Sequence, residues 1–166
     1  MSLERARIAY IVSHGKKLVS VTDTIGSTAT HSTGTGYYIA GYAIVASKSG
    51  IVRTLGINLL TAAGNIRLAL YSTYSNLKFS GLLGQSASTA AVAGWNDLTV
   101  TGITVVASTT YYICFQLSSL LADRYYANSG TQYYCAFAYD AFPDPTPSLT
   151  SNVATGNMRM VTTYFA

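Results

Sequence analysis

Charge is what this sequence has least of. Only 10% of its 166 residues are Asp, Glu, Lys or Arg, where an ordinary soluble protein carries roughly 25%. Six acids and two histidines leave little material for general acid–base chemistry, which needs titratable groups paired at one site. His14 and His31 both stand among Gly, Ser and Thr in segments that read as loop. A Ser-His-Asp arrangement would have to draw strict geometry from a loose stretch of chain. The expectation is a protein that is not an enzyme. Ten Lys and Arg give a net charge of +4, yet Lys48, Arg53, Arg67, Lys78, Arg124 and Arg159 are scattered. A nucleic-acid binder gathers such residues into a stripe, so no nucleic-acid partner is expected.

Cysteine is nearly absent. Cys114 and Cys135 are the two present, with no CxxC and no Cys/His cluster, which argues against a structural zinc. No cofactor is expected. Each cysteine lies in a strand-like run, so a disulfide between neighbouring strands and a pair of buried free thiols both remain open. No apolar run reaches the ~18 residues of a membrane helix, and no membrane insertion is expected. Glu4, Arg5 and Arg7 stand where a signal peptide would place its apolar stretch, so the chain is expected either to be used without secretion or to lack its leader. Helix-forming Glu and Lys are rare, and Ser118–Asp123 (SSLLAD) is the one segment with helical or turn character.

What is there is β-forming. Hydrophobic residues make up 49%, and the aromatics are fourteen Tyr, five Phe and one Trp. Asn65–Tyr71 alternates, with Ile66, Leu68 and Leu70 on one face. Tyr111–Leu117 alternates too, with Tyr111, Ile113, Phe115 and Leu117 on one face and Tyr112, Cys114 and Gln116 on the other. Further strands are expected over 5–12, 17–25, 37–47, 51–60, 81–92, 96–106, 132–138 and 157–165, separated by turn signals such as KSG, AAGN and ANSG. Many short strands with almost no helix predict an all-β jelly-roll β-sandwich of about eight to ten antiparallel strands. Gly26–Gly36 (GSTATHSTGTG) reads as a flexible link. It divides the chain into an extended N-terminal arm and linker, residues 1–33, and a sandwich domain, residues 34–166. The arm holds two strand-like pieces, and Arg5, Arg7, Ile8, Tyr10 and Ile11 form its assembly face. A lone two-stranded hairpin is marginal in water, so the arm must dock on its own body or on a neighbouring subunit.

From about Tyr42 onward a particular order of motifs appears. It runs GINLL (Gly56–Leu60), NIRLALYS (Asn65–Ser72), GLLGQS (Gly81–Ser86), AGWN (Ala93–Asn96), ASTTYYICFQL (Ala107–Leu117), RYY (Arg124–Tyr126) and YDAFPDPTPS (Tyr139–Ser148). This order resembles the jelly-roll domains of phage tail-fibre and minor tail proteins and of secreted carbohydrate-binding or adhesive modules, over roughly 120 residues. The sequence departs from that pattern at Ser108, where Gly is usual, and at Tyr112, where Trp is usual. The resemblance implies a non-enzymatic viral structural protein: a tail-fibre, spike or capsid-decorating jelly roll. Its partners would be further copies of itself, with a trimer as first expectation, other virion proteins, and a cell-surface glycan. The virion is the expected location; a secreted, extracellular carbohydrate-binding module is the alternative.

Three sets of residues are candidate sites. Asp123, Arg124, Tyr125, Tyr126 and Asn128 form a polar-aromatic cluster of the type that binds glycans at a loop edge. Asp140 and Asp144, with Asp123, could offer oxygens to calcium, although Asp in such a Pro-rich stretch ordinarily serves a turn. The tyrosine pairs 37–38, 111–112, 125–126 and 133–134 are the third. Adjacent strand residues face opposite ways, so one Tyr of each pair can fill the core while the other faces out. For Trp95, after Gly94, the resemblance implies a packing anchor at the sandwich edge.

Overall fold

The computed structural model describes residues 17–28, 30–32, 36–120, 122, 124–127 and 130–166. They form β1 (Leu18–Ile25), β2 (Thr30–Ser32), β3 (Tyr38–Val45), β4 (Gly50–Leu59), β5 (Asn65–Ser75), β6 (Lys78–Gln85), β7 (Thr89–Ala90), β8 (Gly94–Thr99), β9 (Thr104–Val105), β10 (Thr110–Leu117), β11 (Arg124–Ala127), β12 (Gln132–Ala136), β13 (Thr150–Asn152), β14 (Thr155–Gly156) and β15 (Met158–Phe165). Most of these match the expected strands. The expected 81–92 and 96–106 strands are each broken in two, and the expected 5–12 strand lies outside the described residues.

Eight strands carry the architecture. The first of them pairs with the last (β1 with β15), the second with the seventh (β3 with β10), the third with the sixth (β4 with β8), and the middle two with each other (β5 with β6), all antiparallel. That is one long hairpin rolled on itself, the jelly roll. Two further pairings, β15 with β4 and β10 with β5, join the rolled pairs into two sheets. The first sheet holds β1–β15–β4–β8 and the second β3–β10–β5–β6; β2, β9, β11 and β14 extend the first, and β7, β12 and β13 the second.

β1 settles the place of one half of the arm. All eight of its residues pair with β15, from Leu18 with Phe165 to Ile25 with Met158. Of the two docking sites open to the arm, this piece takes its own body. The boundary expected at residues 33/34 therefore falls inside the jelly roll, between its first and second strands. Arg5, Arg7, Ile8, Tyr10 and Ile11 lie outside the described residues.

Period-two patterning places the core between the sheets. Ile66, Leu68 and Leu70 of β5 and Tyr111, Ile113, Phe115 and Leu117 of β10 are buried there. They meet Leu55, Ile57 and Leu59 of β4 and Met158 and Met160 of β15 in one cluster. The β5–β6 hairpin turns through Asn76 and Leu77, both in the left-handed region at φ 50° and 58°, as a two-residue type I′ loop requires. Ser108, standing where the resembled pattern has Gly, has φ 60°, so the position needs a left-handed backbone whichever residue fills it. Gly94 has φ 88° and open space around it, so conformation and not crowding selects glycine there.

Candidate functional site

Alternation puts Ala43, Gly41 and Ile39 of β3, Tyr112, Cys114 and Gln116 of β10, and Ala69 and Tyr71 of β5 on the outer face of the second sheet. On β12, which pairs with β3, Tyr133 stands opposite Gly41 and Cys135 opposite Ile39. This face is a second apolar layer: Ile39, Ala69, Tyr71, Phe79, Cys114, Phe142 and Leu149 are all buried in it. Two devices close it. The first is the β5–β6 hairpin, which brings Phe79 over a floor of small residues. A Cβ on Gly41 would lie 2.5 Å from Cys114 Sγ and 2.7 Å from the Phe79 ring, so only glycine lets Phe79 settle.

The second device is the strap of residues 137–149, the FPDPTP segment. Asp144 accepts backbone hydrogen bonds from Gly81 and Leu82, both at 2.9 Å. Thr146 Oγ1 accepts from Phe79 N at 3.0 Å, and Thr146 N donates to Phe79 O at 2.9 Å. Gln85 Oε1 accepts from Phe142 N at 2.9 Å, and the Tyr71 hydroxyl donates to Pro143 O. Burial pushes the Tyr71 phenol and the Cys114 thiol well above their ordinary pKa values, so both stay neutral.

Beyond the strap, Tyr74, Tyr112 and Tyr133 remain half-buried around Phe79. The Tyr74 and Tyr133 rings are 4.2 Å apart and Tyr74 and Tyr112 are 5.8 Å apart. Phe79 lies 5.3 Å from Tyr112 and 5.8 Å from Tyr133. These separations suit offset and edge-on aromatic packing. Desolvation, then the neighbouring phenols, raises the pKa of Tyr74 and Tyr112, so both hydroxyls stay protonated at neutral pH. The outcome is an uncharged aromatic platform rimmed with hydroxyls that donate and accept.

The tyrosine-pair reading holds at two pairs. Tyr111 is buried in the main core while Tyr112 is on the platform; Tyr134 packs against the main core while Tyr133 is on the platform. Tyr74 and Phe79 belong to no tyrosine pair, and their convergence depends on the curl of the hairpin. The repeat of aromatics at 71, 74 and 79 around the SNLK turn was the available signal.

The RYY cluster is placed differently from expectation. Arg124 is 5% exposed and faces the sandwich interior, where its guanidinium bonds the Tyr42 hydroxyl and Gln132 Oε1, the latter at 3.2 Å. Gln132 Nε2 donates to the same Tyr42 hydroxyl at 2.9 Å, and the cation lies 5.2 Å from the Phe115 ring centre. RYY is thus part of strand β11 and not of a loop edge, and Arg124 serves internal polar packing. Tyr125 is half-buried in β11, and Tyr126 pairs there with Thr30 and Gly156. Asp123 and Asn128 lie outside the described residues.

Asp144 is committed to the β6 amides. The Asp140 carboxylate accepts from Ala141 N at 2.7 Å. Among the described residues no three His, Cys, Asp or Glu side chains gather as a metal site would require. Cys114 and Cys135 are free thiols. They sit on strands either side of β3, Cys114 opposite Gly41 and Cys135 opposite Ile39. Two strand spacings amount to about 9–10 Å, beyond the ~7 Å Cα limit of a disulfide.

The outer face of the first sheet holds the other concentration of functional groups. Arg159 on β15 and Asp97 on β8 form a two-bond ion pair, with Arg159 Nε donating to Asp97 Oδ1 at 2.7 Å. The guanidinium stacks 4.1 Å from the Trp95 ring centre. The pair spans β4 over Gly56, whose Cβ would meet Asp97 Oδ1 at 2.4 Å. Trp95 is therefore a lid on a surface ion pair, and the main core packs without it.

Fold and site together define a two-sheet jelly-roll β-sandwich with an aromatic, uncharged outer platform. No protein-family model matches the chain, and no curated protein matches it.

Proposed function

We propose that the chain is a non-enzymatic attachment module, a jelly roll of a tail fibre, spike or capsid decoration, whose Tyr74–Tyr112–Tyr133 platform takes a neutral saccharide. The platform is the observation that carries this reading. Ring faces suit the C–H faces of a sugar, tyrosine loses little rotamer freedom on contact, and the hydroxyl rim answers sugar hydroxyls. Among the described residues no Lys or Arg stacks on these three rings, which favours a neutral ligand over an acidic one. The order of motifs from Gly56 to Ser148 supports the virion setting, as does the low charge.

The test is a glycan array probed with the full chain, followed by titration of the best sugar against Tyr112→Ala and Tyr133→Ala. Each substitution is expected to weaken binding by about tenfold or more while the far-ultraviolet circular dichroism stays unchanged. An array without hits, or hits indifferent to both substitutions, sinks the reading. The secreted carbohydrate-binding reading shares the platform. A monomer at all concentrations with saturable sugar binding favours it; a defined oligomer favours the virion reading.

A further inference from the structure

Sheet edges expose unpaired N–H and C=O groups, and proteins generally blunt them. Here β6 is sealed by Asp144 and Thr146, and β13 is only three residues long. β1 is different. It is eight residues long, regular in register against β15, rich in Val, Thr and Ile, and has one neighbour among the described residues.

Its outward groups can be assigned. Lys17 and Ala166 exchange both backbone hydrogen bonds, at 3.1 and 3.0 Å. In an antiparallel ladder such pairs alternate, so Val19, Val21, Asp23 and Ile25 also bond β15. Leu18, Ser20, Thr22 and Thr24 then point their N–H and C=O groups away from the sheet.

We propose that this edge pairs with β1 of a second copy, antiparallel about a two-fold axis at Ser20. In that register Leu18 bonds Thr22 of the other copy, and Ser20 bonds Ser20. Val19 meets Val21, and Lys17 stands directly opposite Asp23. The last two are non-hydrogen-bonded pairs, where side chains come closest and opposite charges favour pairing. The segment is thus self-complementary in charge, in β-branched contacts and in backbone pattern, as an isologous interface demands. Asp23 Oδ2 accepts from Ser47 N at 3.1 Å, which holds the carboxylate in place at this edge. Leu18, 52% exposed, lies near the axis on the outer face and gains cover from the partner strand. The result is one sheet continuous across two sandwiches, independent of the saccharide platform on the other sheet.

Sedimentation of the full chain over a range of concentration, with amide exchange at the same concentrations, tests this. A reversible dimer is expected, with the Leu18, Ser20 and Thr22 amides protected only where dimer is present. Ser20→Pro deletes an outward N–H and spares the β15 ladder; it should weaken dimerisation at least about tenfold. Lys17→Glu sets like charges opposite and should weaken it less. A monomer at every concentration overturns the proposal, as does a dimer indifferent to both substitutions. Protection of these amides in the monomer also overturns it, since the chain's own first sixteen residues would then occupy the edge.

Discussion

The two sheets present opposite outer faces, although their strands share one alternating pattern. On the first sheet Ser20, Thr22, Thr24, Arg53 and Thr99 are exposed, and the Arg159–Asp97 pair is half-solvated. On the second sheet the corresponding positions are Ala69, Tyr71 and Cys114, all fully buried. The strap makes the difference. Residues 137–149 and the β5–β6 hairpin lie over one sheet and leave the other bare, turning what would be a solvated face into a second core. A polar off-face tolerates substitution; an aromatic one, once covered, becomes part of the stability of the fold.

Phe79→Ala should separate the two faces most sharply. It empties the centre of the covered layer and is expected to lower unfolding free energy by about 3–5 kcal/mol. Thr99→Ala on the bare face should stay within about 0.5 kcal/mol. Urea unfolding of both reads the contrast, and a Phe79 loss below about 1 kcal/mol would erase it. Next comes Asp144→Ala, which strips the amides of Gly81 and Leu82 of a charged acceptor. About 1.5–3 kcal/mol should be lost, and exchange at those amides should quicken.

pH sharpens the same comparison. The Cys114 thiol, ordinarily at 9.0, is pushed well up by burial. Below pH 9 it is neutral in both folded and unfolded chains and stability is full. As pH climbs past 9 the unfolded thiol ionises while the buried one does not, so stability falls, by up to about 1.4 kcal/mol per pH unit from this group. Urea midpoints at pH 8, 9 and 10 should fall less steeply in Cys114→Ala than in the parent chain; equal slopes would show the thiol is not shielded. The smallest effect belongs to the bare face. Asp97→Asn should lower stability by about 0.2–1 kcal/mol in low salt and by less in high salt, as expected of a partly solvated pair.

Much of the fold was legible in the residues. The alternation of NIRLALY and TYYICFQL placed the inner core, and the tyrosine pairs 111–112 and 133–134 marked strands with one ring on each side, whereas Tyr37 and Tyr38 are both exposed. The KSG and AAGN turns fell where strands end. RYY reads as an exposed polar-aromatic cluster, yet Arg124 is interior because Tyr42, far away in the chain, and Gln132 on the next strand bring it polar partners. The glycine-rich link after Ile25 suggests a domain boundary, yet β1 belongs to the roll because its ladder partner is β15, at the opposite end of the chain. Trp95 reads as a core anchor, yet its strand register turns it outward beside Arg159.

The sequence by itself determined which residues turn inward along each strand, because side-chain direction follows a two-residue period that needs no partner. Only the tertiary structure decided which strands lie side by side and what covers them. Register between distant strands and the landing place of the strap depend on contacts that no local pattern encodes. Those contacts brought Tyr74 to Tyr112 and Tyr133 and kept Cys114 away from Cys135.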